Sequence, residues 1–254
     1  MQAGFVSLSA IDEERFGVKT AKALRLQAKD ISDIMNFCKM QNVEFLIVRC
    51  PTTDLTATQE LEQLGFLLMD TLVYYSCNLK RINFPDKSFD FLIRPVNPGE
   101  EYSVKSLATE IFTGYSGHYH ADSRLNKKKC DEIYPDWAYK SCKSKVGANE
   151  VLVAVSGKKI IGFGTICVNG PVEGEGMLFG VSPSFRGKGV YRAIMIECLK
   201  WCMERRLERM IISTQITNLA SQKTWISLGF EPYQSFYTFH KWFSSTETEG
   251  SKSL

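Results

Sequence analysis

The residues with the clearest chemical use lie in one run. Met177-Leu-Phe-Gly-Val181 reads as a short apolar strand, Ser182-Pro-Ser-Phe-Arg186-Gly-Lys-Gly189 as a tight loop, and Val190-Tyr-Arg-Ala-Ile-Met-Ile196 as the first turns of a helix. Gly187 and Gly189 let another molecule approach the main chain, because no Cβ stands in the way. A helix N-terminus presents unpaired N–H groups and about half a positive charge, which suits a phosphate. Arg186, Lys188 and Arg192 add full charges at the same place. Taken alone, an Arg-x-x-Gly-x loop is more often a plain strand-turn-helix connection. A second stretch, Gly114-Tyr-Ser-Gly-His-Tyr-His-Ala-Asp122, holds two of the chain's three histidines beside a carboxylate, and it reads as a polar site on a loop.

The elements around these residues follow from periodicity and punctuation. Val190, Ile194, Cys198, Leu199 and Cys202 recur at helical spacing, and Pro183 stops the strand before the loop. Strands are expected at 150–155, 159–168, 176–181 and 209–213. Helices are expected at 101–112, 131–142 and 219–228, the last stopped by Gly229. Near the start, short strands at 5–8 and 22–26 flank a turn at 15–19, and Asp30 is placed to cap a helix over 31–38. A strand at 44–49, a helix over 58–64 stopped by Gly65 and a strand over 66–79 complete the first part. Asp54, Leu55 and Leu64-Gly65-Phe66 register with Asn218, Leu219 and Leu228-Gly229-Phe230 at one fixed offset. The chain thus reads as two related strand-helix-strand units, of which only the second has the glycine-rich loop. The expected division is a partial N-terminal domain at 1–80, a linker at 81–89 marked by Pro85, a second domain at 90–243 and a disordered tail at 244–254.

Totals narrow the classes. A net charge of +3 gives no case for nucleic acid or a membrane surface. No run of eighteen apolar residues and no secretory signal are present, so the eight cysteines read as reduced thiols in a cytoplasmic protein. They show no metal-type spacing, and no metal is expected.

Phe179-Gly-Val-Ser-Pro-Ser-Phe-Arg-Gly-Lys-Gly189, followed by Asn218-Leu-Ala220 and Leu228-Gly-Phe230, resembles the GNAT (Gcn5-related) N-acyltransferase superfamily over Phe91 to Phe243. The resemblance implies an α/β GNAT fold: a mixed, splayed central sheet flanked by helices, preceded here by a truncated GNAT-like half-domain. It implies an acyl-CoA co-substrate held by Phe179, Gly180, Val181, Arg186, Gly187, Lys188, Gly189, Val190, Tyr191 and Asn218. Tyr191 departs from the pattern, which has a small residue there, so its ring either crowds the pyrophosphate or points away. Arg15-Phe-Gly, Leu64-Gly-Phe66, Tyr119-His-x-Asp122 and Ile133-Tyr-x-x-Trp137 are similar to a narrower branch, the nucleotide-sugar N-acyltransferases. That likeness implies transfer of an acetyl or longer acyl group, such as 3-hydroxybutanoyl, from its CoA thioester to the amine of a dTDP-linked amino-dideoxyhexose. It implies Tyr119, Asp122, Trp137 and Trp225 as substrate-binding residues and, by analogy, a homodimer. Candidate bases are His120, for its ordinary pKa, and Glu175, read as alternating with Met177 and Phe179 onto one face. Trp225 occupies the place where many members carry a tyrosine acid, and an indole N–H is no practical acid. The alternatives are a GNAT enzyme for another amine, a peptide N-terminus or an aminoglycoside, and a CoA-binding sensor without chemistry.

Overall fold

The computed structural model describes residues 6–82, 89–144 and 148–243. They form two compact units interleaved along the chain: residues 6–73, 116–129 and 234–243 in one, and 74–82, 89–115, 130–144 and 148–233 in the other. The first boundary falls at Val73/Tyr74, inside a strand, and not in the proline-bearing stretch expected as a linker. Residues 116–129 and 234–243, expected in the second domain, fold with the N-terminal residues. Leu79–Arg81 is a 3-10 turn, while most of the expected linker and the whole expected tail lie outside the described residues.

The first unit has strand order β1 (Val6–Leu8), β2 (Thr20–Leu24), β3 (Phe45–Pro51), β10 (Glu231–Trp242). β1 and β2 are antiparallel, β2 and β3 parallel, and β10 runs antiparallel to β3 from Phe236 opposite Pro51 to Trp242 opposite Phe45. Helices α2 (Ile31–Met40) and α3 (Leu55–Gln63) bury Ile31, Ile34, Cys38, Ala57 and Leu61 against Leu46, Val48 and Phe239. The turn expected at 15–19 is the end of a helix the periodicity did not reveal, α1 (Ala10–Phe16), closed by Gly17 in the left-handed region. Asp30 does not cap α2 through its side chain; its carboxylate accepts the Gln27 N–H in the turn before the helix.

The second unit has strand order β4 (Leu67–Asn78), β9 (Arg209–Gln215), β8 (Glu173–Val181), β7 (Lys159–Val168), β6 (Glu150–Ser156), β5 (Leu92–Pro95), β4 contributing its residues 74–78. From β5 to β8 each strand runs antiparallel to the next, and β8 and β9 are parallel. Helices α4 (Glu101–Phe112) and α7 (Ile133–Ser144) cover one face, where Val104, Leu107, Ala108 and Ala138 meet Val153, Phe163 and Leu178. Helix α8 (Val190–Glu204) covers the other. It lies so close that a Cβ at Gly162, Gly164 or Gly174 would meet Ile194, Val190 or Cys202 within 3.0 Å.

The internal echo is a structural repeat. β3-α3-β4 has 7, 9 and 12 residues, and β9-α9-β10, with α9 at Leu219–Ile226, has 7, 8 and 12. Asp54 caps α3 by accepting the Ala57 N–H at 2.9 Å, and Asn218 caps α9 by accepting the Ser221 N–H at 3.3 Å. Gly65 and Gly229 end the two helices with φ of 77° and 86°. Each copy gives part of its second strand to the other unit: residues 74–78 of β4 fold with the second unit, residues 234–242 of β10 with the first.

The close seat of α8 makes a direct test. Gly164→Ala puts a methyl 2.6 Å from Ile194 and Phe179 side-chain atoms, and overpacking of this kind costs about 1–3 kcal/mol. The urea midpoint should fall accordingly; an unchanged midpoint counts against the seat of α8.

Candidate active site

The site begins where two parallel strands part. β8 and β9 pair from Glu173/Arg209 to Gly176/Ile212, and no further. β8 continues to Val181 against β7, and β9 to Gln215. At the same point Thr165 faces Leu178 while Ile166 faces Gly176, so Met177 is a bulge residue without a partner. The amides of Leu178 and Ser182 point to β7, donating to Thr165 Oγ1 and to the Ile161 carbonyl, both at 2.9 Å. The two-residue period then turns the amides of Phe179 and Val181 to the open side.

The bulge also shifts the side chains, since one extra residue exchanges the faces of a strand. The Cβ directions of Gly174 and Gly176 meet Cys202, Leu207, Phe179 and Met210, on the face of α8, so Glu175 between them faces α4. Phe179 lies on the α8 face, its ring 6.0 Å from that of Tyr191. Glu175 and Phe179 are therefore on opposite faces, not on one as strict alternation implied. Glu175 lies inside β8, half-buried, and accepts a hydrogen bond from Asn169 Nδ2 at 3.0 Å.

Past β8 the loop turns through the 3-10 segment Pro183–Phe185 into Gly187 and Gly189, with φ of 76° and 81°. The space a Cβ would fill at Gly187 is open. Among the described residues no acceptor takes the N–H groups of Gly187 through Arg192. These amides, the N-terminus of a fifteen-residue helix and the exposed Arg186 and Lys188 form a cradle fitted to a diphosphate. Tyr191 does not crowd it. Its ring turns to α9, and its hydroxyl accepts the Trp225 Nε1–H at 2.8 Å. Burial, opposed in part by hydrogen bonds to Ser221 and Trp225, raises the Tyr191 phenol above its ordinary range, so it stays protonated. Trp225, expected to touch substrate, is 1 % exposed, with its only donor committed to Tyr191. Asn218 holds the start of α9 and donates to Thr214 Oγ1. Trp137, partly buried, packs against the α4–α7 core.

Residues 110–230 match the model of the acetyltransferase (GNAT) family. The matched stretch, a little under half of the chain, carries that family's pattern. The uncovered loop amides and the parted strands fit the acyl-CoA co-substrate of such a family. Spore coat polysaccharide biosynthesis protein SpsD of Bacillus subtilis (strain 168) is 23% identical over 212 residues, covering 80% of this chain and 68% of that protein. A GCN5-related N-acetyltransferase from Sphaerobacter thermophilus has a similar fold, with a TM-score of 0.66 at 13% identity over 93% of this chain and 76% of that one. One from Kribbella flavida gives 0.64 at 10% identity over 95% and 88%.

The segment expected to hold the acceptor belongs to the first unit and spends its polar atoms there. Tyr119, in the short helix α5 (His118–Ala121), donates to buried Asp12 at 2.7 Å and accepts from Lys22 at 3.1 Å. Asp122, 4 % exposed, accepts from His240 Nδ1 at 2.8 Å, Trp242 Nε1 at 2.9 Å and the Arg124 amide at 3.0 Å. His240 Nε2 meets His118 Nδ1 at 2.9 Å. Tyr119 and Asp122 therefore fasten the segment to its unit, a correction to their expected role in binding substrate. His120 Nδ1 accepts the Gly117 N–H at 3.2 Å, which leaves Nε2 to carry the ring proton of a neutral imidazole. That makes it a donor and not the base expected. His240 and Trp242 went unnoticed in sequence because their partners stand more than a hundred residues away.

This relay has a definite acid response. Burial, with the charges of His240, Arg49 and Lys22, holds His118 well below its ordinary 6.5, so the unfolded chain binds that proton more readily. Burial would raise Asp122, but hydrogen bonds from His240, Trp242 and the Arg124 amide outweigh it and keep its pKa below 3.8. Both signs agree: stability falls as pH drops below about 6.5, and again as Asp122 protonates. Denaturation midpoints against pH should show the first loss in the native chain and not in His118→Gln; equal slopes would overturn it. Asp122→Ala, which strips buried His240 and Trp242 of their acceptor, should cost about 3–5 kcal/mol in the same assay.

Proposed function

We propose that the chain transfers an acyl group from acyl-CoA to the amine of a dTDP-linked amino-dideoxyhexose, in the cytoplasm, for a surface polysaccharide. Acetyl is the default donor, and 3-hydroxybutanoyl is the longer candidate. The observation that carries acyl transfer is the parting of β8 from β9 beside a loop of uncovered amides. The polysaccharide reading is supported by the likeness to SpsD, named for spore coat polysaccharide biosynthesis, and by the nucleotide-sugar motifs of the sequence.

In this reading the loop amides with Arg186 and Lys188 hold the pyrophosphate, and the open side of β8 from Phe179 to Val181 receives the pantetheine. The neutral amine attacks the thioester carbonyl, forming the C–N bond, and the C–S bond breaks to release the CoA thiolate. The outward amides of β8 stabilise the oxyanion; loss of one such donor costs about 10²–10³ in rate. Glu175 takes the proton of the ammonium, a role worth roughly 10²–10⁴. With the Trp225 N–H committed to Tyr191, the thiolate takes its proton from water or from the ammonium itself.

Mass spectrometry of products from a panel of acyl-CoAs and dTDP-amino sugars should show the acylated nucleotide sugar and free CoA. Acylation of peptides or aminoglycosides alone would overturn the acceptor, and CoA binding without release by any amine would make the chain a sensor. Gly189→Asp places a carboxylate and a strained left-handed residue in the cradle, so it should abolish CoA binding by calorimetry while circular dichroism is unchanged. Full affinity in that variant refutes the loop assignment.

A further inference from the structure

The second unit has a cleft that the loop does not explain. Its volume is about 670 Å³, in the range of small-molecule sites. Its lining includes Arg81, Arg192, Arg209, Ser227, Glu231 and Tyr233, and none of residues 186–191 or Asn218. Three guanidiniums against one carboxylate is an unusual wall for a cleft that serves only packing. Arg209 is the structural one: it pairs with Glu173 at 2.6 Å and lies 5.4 Å from the centre of the Tyr233 ring. Arg192 lies along the end of α9, donating to Ser227 Oγ at 2.6 Å, and no carboxylate among the described residues pairs with it. Arg81 is exposed and makes no ion pair among the described residues. Tyr233, 46 % exposed, offers an aromatic surface already steadied by Arg209.

We propose that this cleft binds a nucleoside phosphate, with its phosphate between Arg81 and Arg192 and its base on Tyr233. Guanidinium forks match phosphate oxygens in geometry and stay charged at any working pH, and a nucleobase stacks on an aromatic ring whatever its identity. A purely apolar ligand would leave Arg81 and Arg192 facing it without counter-charge. The inference deepens the proposed function and rests on it for its ligands, while the cleft residues are tested separately from the loop. Two sources carry this chemistry: the 3′-phosphoadenosine end of CoA, and a thymidine diphosphate.

Calorimetry separates them, with CoA, dephospho-CoA and dTDP titrated into the full chain and into Arg81→Gln, Tyr233→Ala and Gly189→Asp. If the cleft takes the CoA end, CoA binds about tenfold more tightly than dephospho-CoA, and Arg81→Gln erases the difference, as loss of one charge-assisted hydrogen bond would. If it takes dTDP, that ligand weakens about tenfold in Arg81→Gln and in Tyr233→Ala and is unaffected by Gly189→Asp. Unaltered affinities for all three ligands in both cleft variants overturn the proposal, even when CoA still binds. So does a native chain that binds neither dTDP nor the CoA 3′-phosphate. Loss of CoA in Gly189→Asp alone concerns the loop and leaves the cleft reading intact.

Discussion

Two parallel strands that pair at one end cannot go on pairing once a bulge turns one of them, and the rest of the second unit is arranged around that break. Beyond Gly176 the backbone of β8 has a partner on one side only, so Phe179 and Val181 keep amides that a continuous sheet would have used. Unpaired backbone groups are costly when buried and useful when a ligand supplies the missing acceptor. Helix α8 starts where β8 ends, so the loop amides are presented beside the same opening. That arrangement needs the helix to lie very near the sheet. Gly162, Gly164 and Gly174 permit the approach by offering no Cβ to Ile194, Val190 or Cys202.

Tyr191 and Trp225 are best understood as a pair. Each looks like a departure when set against the family pattern: a large ring where the loop has a small residue, and an indole where a phenol is common. In the fold they meet, the indole N–H on the phenol oxygen, with the Tyr75 ring 5.5 Å from that of Trp225. The bulk of Tyr191 is thereby drawn away from the loop amides and into the packing between α8 and α9.

The first unit is held by polar groups that share no local sequence. Asp122, His240, Trp242 and His118 form one buried chain of hydrogen bonds, and Asp12, Lys22 and Tyr119 another. A satisfied buried network of this kind specifies which segments belong together, because any other pairing would strand its donors. It accounts for residues 116–129 folding with the N-terminal part of the chain although they follow α4 in sequence.

Much of this was legible beforehand where chemistry is local. Asp54 and Asn218, Gly65 and Gly229, the loop at Arg186 to Gly189 and the bounds of α4 and β7 all act through neighbours within a turn or two, so spacing reveals them. The α1 helix was missed because its seven residues carry too short an apolar stripe to stand out. The face of Glu175 was misjudged because a bulge depends on the partner strand. The sequence by itself determined the α/β class, the repeat and the glycine-rich loop, since those follow from backbone permissions and short-range periodicity. Tertiary structure alone decided where the strands part, where the Tyr191 ring turns and that Tyr119 and Asp122 face inward. Each of these depends on atoms brought together across dozens to more than a hundred residues, and no local pattern records such a meeting.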